Sequence, residues 1–176
     1  MPHEKRGTFI SHITEESPVA LVLRRYLKDA FGDDFPVFVS TDNTSIPTGE
    51  QWYDSIIQRL SGTQIVIVLL SGESSRRGWL AFEAGFGKGA GARVVLVSLS
   101  RFTFSQLAYP LAGIQGCRID EIASIIDSIA GECGLSKNAI DVDAYLRDIT
   151  EAEATLNYKS LRVEPILGAQ DRKSVV

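Results

Sequence analysis

The longest apolar run in the chain, Ile65-Val-Ile-Val-Leu-Leu70, limits the fold more than any other feature. It is uninterrupted and rich in β-branched residues. A strand with one face in water alternates apolar and polar residues, so an unbroken run of this kind predicts a central parallel strand covered on both faces. Six apolar residues fall far short of the roughly 20 needed to cross a bilayer as a helix.

The segments around this run alternate in character. Gly7 to Ser11 reads as a short strand, and Ser17-Pro18 offers an N-cap followed by proline at the first helical position. Val19, Val22, Leu23, Tyr26, Leu27 and Ala30 then recur at helical spacing, and Gly32 is placed to end the helix in the left-handed conformation. Pro36 to Ser40 is a second strand, Thr41 to Gly49 a polar loop, and Glu50 to Leu60 a helix with Trp52, Ile56, Ile57 and Leu60 on one side. After the central run come a helix from Trp79 to Phe86, glycines at Gly85 to Gly91 expected to unwind it, and a strand from Arg93 to Ser98. Weaker signals give a turn near Ser105 to Leu107, a fifth strand near Gly116 to Ile119, and a helix from Asp120, its expected cap, to about Cys133. The alternation predicts an α/β fold, a flavodoxin-like open parallel five-stranded sheet with helices on both faces. Residues 1–135 are expected to form this domain, and 136–176 a helical extension and tail, with a charged helix from Asp141 to about Tyr158.

Composition narrows the function. Hydrophobic residues make up 44% and charged residues 23%, which is ordinary globular usage and disfavours disordered and membrane classes. The formal charge of −4 disfavours a nucleic-acid partner, which would draw on clustered Lys and Arg. Cys117 and Cys133 are too few for a disulfide framework or a structural zinc site, and are expected as reduced, buried thiols. Met1 to Gly7 carries charge with no secretory hydrophobic segment after it, so a cytoplasmic protein without a membrane anchor is expected.

In an open parallel sheet, ligands gather at the carboxyl ends of the strands. That rule selects Ser11 to Thr14, Ser40 to Gly49, and Ser71 to Trp79 as one rim. The glycines after Phe86 are excluded as a phosphate loop, because they do not follow a strand and Lys88 precedes Gly89 rather than Ser or Thr. Trp79 and Glu83 lie four residues apart, about one helical turn, and so share a helix face. Glu83 also sits in an apolar stretch, Leu80 to Gly85, where a carboxylate is costly.

Taken together, Phe9-Ile-Ser-His12, Val37-Phe-Val-Ser40, Ile46-Pro-Thr-Gly-Glu-Gln-Trp52, Leu69-Leu-Ser71 and Trp79-Leu-Ala-Phe-Glu83 resemble successive signatures of the TIR (Toll/interleukin-1 receptor) domain. The resemblance spans about residues 7 to 133, and its Trp79/Glu83 spacing is that of the bacterial-type NAD+-cleaving branch. It implies a catalytic role for Glu83 and substrate contacts from Ser11, His12, Ile13, Ser40, Asp42, Ile46, Gly49 and Trp79. In place of the basic or aromatic residues common after the first strand, this chain has Ile13-Thr14-Glu15-Glu16, which leaves Arg76 and Arg77 as nearby cations for a diphosphate.

The expected activity is that of an NAD+ glycohydrolase switched on by self-association, in immune (antiphage) defence or cell suicide. NAD+ is its substrate, and no cofactor, metal, nucleic acid or membrane is expected. The alternatives are a non-catalytic TIR interaction module for signalling and a nucleoside deoxyribosyltransferase-like enzyme. A phosphoacceptor receiver is excluded, because Ser11-His12 and Ser71-Gly72 stand where its acidic residues are required.

Overall fold

The computed structural model describes residues 7–40, 50–107 and 109–158, with side chains from residue 53 onward in the second segment. Five parallel strands, β1 (Thr8–Ser11), β2 (Val37–Val39), β3 (Ile65–Leu70), β4 (Arg93–Ser98) and β5 (Gly116–Arg118), form one sheet in the order β2-β1-β3-β4-β5. The helices are α1 (Ser17–Phe31), α2 (Glu50–Ser61), α3 (Gly78–Gly89), α4 (Ile122–Cys133) and α5 (Val142–Ala154).

The central run behaves as its composition requires, with all six residues of β3 buried. Ile65, Ile67 and Leu69 point to one face, where α1, α4 and α5 supply Leu23, Leu27, Ile125, Ile129, Tyr145 and Ile149. Val66, Val68 and Leu70 point to the other, toward Ile56 and Leu60 of α2 and Leu80 and Ala84 of α3. Strand side chains alternate between faces, so a strand with a core on each side has no position left for a polar residue.

Five local expectations are corrected. The glycines do not unwind α3, which runs on to Gly89. Gly87 is buried against β3, and a Cβ there would lie 2.6 Å from Val66 Cγ2, so the glycine serves close helix–sheet packing. Gly87→Ala gains about 1 kcal/mol in helix propensity, but overpacking against a stiff β-branched side chain costs about 1–3 kcal/mol. Packing offsets or exceeds that gain, a net cost of up to about 2 kcal/mol, and a thermal melt of the variant is expected up to about 8 °C below the parent.

Asp120 is not the cap of α4. Its carboxylate takes the Arg118 guanidinium at 2.8 and 2.9 Å, and Glu121 stands at the cap position. Likewise Ser17 is already the first helical residue of α1, with Glu16 before it and a 3-10 turn at Thr14–Glu16. Gly32 does end α1 at positive φ, but its ψ of 161° is extended rather than left-handed helical. Cys117 and Cys133 are free thiols that are half-buried rather than fully buried.

Beyond residue 136 the chain continues to pack. Asp141 caps α5 by accepting from Ala144 N at 2.9 Å, and Tyr145, Ile149 and Ala152 are buried in the α1–α4 face of the core. The described residues contain no helix long and apolar enough to cross a membrane.

Candidate functional site

Glu83 lies on the buried face of α3 with Leu80, Ala84 and Gly87, and its side chain has no solvent exposure. Phe9 belongs to the core on the α2/α3 side, and Ser11, two residues on, points the same way from the carboxyl end of β1. The Ser11 hydroxyl donates to Glu83 Oε2. Glu83 Oε1 is buried without a hydrogen-bond partner among the described residues.

Burial dominates the electrostatics of this carboxyl. Removal from water disfavours the charged form and pushes its pKa from the ordinary 4.5 up to about 7, while the Ser11 hydroxyl and, more weakly, the Trp79 indole N–H pull it back down. A carboxyl in this state exchanges its proton near neutrality and carries an unspent acceptor. Trp79, one turn earlier, is half-buried, 5.1 Å between ring centroids from Phe82 and 6.4 Å from Tyr53, within an aromatic group that joins α2 to α3.

The remaining rim residues are tied into a frame. His12 is 4% exposed, with Nδ1 2.9 Å from Ser40 Oγ and Nε2 3.3 Å from Ser17 Oγ. The His12 backbone N–H also donates to Ser40 Oγ at 3.3 Å, so the ends of β1 and β2 are linked twice. Ile13 turns into the core on the α2/α3 side. Asp42, Ile46 and Gly49 lie outside the described residues. Arg77 is paired with Glu73 at 3.0 Å, and Arg76 is exposed.

Sequence reasoning passed over Glu16. Its side chain is fully buried and its pKa is pushed up to about 7 by burial, opposed by the hydroxyls of Ser71 and Ser74. It stitches the loop after β1 to the loop after β3. Nothing local marks it, because Glu15 and Glu16 read as an ordinary solvated pair before a helix.

The sequence model of the TIR domain matches residues 8–122, more than half of the chain and the stretch that builds the sheet and this rim. The chain belongs to the TIR-domain family. None of the curated proteins compared matches it. Among solved structures it is similar to the TIR domains of the activated Roq1 resistosome, which directly recognizes the pathogen effector XopQ. The identity is 11% and the TM-score 0.43, over 86% of this chain and 84% of that one.

Proposed function

We propose that this TIR domain cleaves the nicotinamide–ribose bond of NAD+, with Glu83 as the catalytic carboxylate. The observation that carries the reading is the Glu83–Ser11 pair, a buried carboxyl held at the carboxyl end of the sheet with one oxygen unpartnered among the described residues. When the C1′–N bond breaks, nicotinamide leaves neutral with the electron pair, and the ribose becomes an oxocarbenium ion. A carboxylate beside C1′ stabilises that charge, as in glycoside hydrolysis, and a low-dielectric site strengthens the effect. Water then adds at C1′ and releases a proton. Because the leaving group departs without protonation, one carboxylate suffices.

In this reading Ser11 positions Glu83 and favours its ionised form, and Trp79 walls the nicotinamide end. His12, Ile13, Ser40, Asp42, Ile46 and Gly49 contact or frame the rest of the substrate. NAD+ is the substrate, and the chemistry calls for no other cofactor. Glu83 is fully buried in the single chain, so substrate entry requires its cover to move. Self-association is the event we assign to that opening, consistent with a cytoplasmic defence or cell-suicide effector.

The test is nicotinamide release from NAD+ by concentrated protein, with Glu83→Ala alongside. The variant is expected to lose at least a thousandfold in rate, and equal release from both would sink the assignment. Release from neither, including under crowding, would favour the interaction module. Ionised Glu83 is the active form, so kcat/KM should rise with pH through about 7, the value to which burial lifts this carboxyl. Ser11→Ala removes a hydrogen bond to the charged form, so the midpoint of that profile should move to higher pH and the rate at pH 7 fall about tenfold.

A further inference from the structure

A cavity of about 480 Å³ opens at the carboxyl ends of β3 and β4, where the end of α5 crosses the rim. Its walls include Ser71, Ser100, Arg101, Phe102, Glu153 and Tyr158. None of Ser11, His12, Ile13, Ser40, Trp79 or Glu83 lines it. The chain builds it by passing from one face of the sheet to the other, since Leu156 packs against the core on the α1 side and Tyr158 against the core on the α3 side.

Three groups in this cavity have chemistry to offer. Arg101 is exposed, with no ion pair or hydrogen bond among the described residues, so its five donors are open to an anion. Glu153 is fixed by Ser100, whose N–H and hydroxyl donate to its two carboxylate oxygens at 2.8 and 2.5 Å, and its remaining lone pairs suit a vicinal diol. Phe102 and Tyr158 add aromatic wall. The floor is rigid, because Ser71 Oγ accepts from the N–H groups of Glu73 and Ser74 at 3.2 and 3.1 Å. Small-molecule sites combine an apolar lining with a few fixed polar groups in a volume of about 300–1,000 Å³.

We propose that this cavity is a second small-molecule site, separate from the Glu83 centre, which takes a nucleoside monophosphate: phosphate on Arg101, ribose hydroxyls on Glu153, and the base against Phe102 and Tyr158. A bare phosphate would leave the aromatic and aliphatic wall unused. An uncharged nucleoside would leave Arg101 unmatched. The site does not depend on whether NAD+ is cleaved.

Calorimetric titration of the full chain with adenosine 5′-monophosphate tests it, with adenosine and inorganic phosphate as comparison ligands. Binding is expected at a dissociation constant between about 10 µM and 1 mM. Adenosine and phosphate should each bind at least tenfold more weakly, Arg101→Gln should weaken nucleotide binding at least tenfold, and Ala154→Trp, an exposed substitution at the cavity wall, should abolish it. Amide NMR signals of Ser100, Arg101, Thr150 and Glu153 should shift on titration. Absence of binding at millimolar nucleotide, binding unchanged in Arg101→Gln, equal binding of phosphate alone, or shifts confined to residues 11–13 and 79–83 would each overturn the proposal.

Discussion

Glu83→Gln should stabilise the protein at pH 8 and, on the proposed mechanism, abolish NAD+ cleavage. The unfolded chain ionises this carboxyl near 4.5, whereas the folded protein holds its proton up to about 7. Between those values the folded state binds more protons than the unfolded state, so the contribution of Glu83 to stability is fully present below about pH 4.5 and is lost as pH rises through 7. The loss amounts to on the order of 3 kcal/mol, from 1.36 kcal/mol for each pH interval of one. Glutamine has the same shape and no charge to desolvate, so it avoids that loss. Its amide brings a donor that lacks a partner, at a cost of about 1 kcal/mol or more. The net is a variant roughly 1–2 kcal/mol more stable than the parent at pH 8, about 2–8 °C in melting temperature, and slightly less stable at pH 5. Denaturation of the two proteins across pH 5–8 checks this, and a stability difference independent of pH would show that the carboxyl is not protonated in the fold. Glu16 is lifted the same way, so the Glu83→Gln variant should still lose stability across this range, and replacing both carboxyls should give the smallest slope.

Such a charge is a poor choice for packing alone. A leucine or methionine at position 83 would continue the buried face of α3 without the pH-dependent loss, so a glutamate at this place sacrifices stability for something a hydrocarbon cannot do. Glu16 differs, because its carboxyl has Ser71 and Ser74 to answer it and ties two loops together.

Much of this was legible in the sequence because it depends on local periodicity. The unbroken run from Ile65 to Leu70 marked the central strand, helical spacing marked α1, and the four-residue interval from Trp79 to Glu83 put both on one helix. What escaped was non-local. Gly87 looks like a helix breaker until Val66, 21 residues earlier, is seen to occupy the space a Cβ would need. Asp120 is a good cap by residue type, but Arg118 competes for its carboxylate and wins. Ser11 reads as the end of a strand, and only the fold brings it to a glutamate 72 residues away. Glu16 is hidden for a similar reason, since its burial is created by the loop after β3.

The charged stretch beyond residue 136 reads as an appendage by composition, and Tyr145→Ala is the change that measures how far it is one. Tyr145 is fully buried, stacks edge-on against Tyr26 of α1 at 5.1 Å, and donates its hydroxyl to Ile119 O at 2.6 Å. Truncating a buried aromatic of this kind costs about 3–5 kcal/mol in lost contacts and residual cavity. The ion pair between Arg25 and Asp148 joins the same two helices, but its side chains are 56% and 36% exposed, and pairs of that sort contribute about 1 kcal/mol or less. Packing therefore outweighs charge in holding α5 to α1. Tyr145→Phe, which keeps the ring and leaves Ile119 O unanswered, should fall between the two at about 1–2 kcal/mol. Urea denaturation of Tyr145→Ala, Tyr145→Phe and Arg25→Ala ranks the three. A Tyr145→Ala loss below about 1 kcal/mol would mean that α5 rests on the domain without supporting it. The expected large loss would extend the folding unit beyond residue 136, and it would reach the cavity walls that α5 supplies at Thr150 and Glu153.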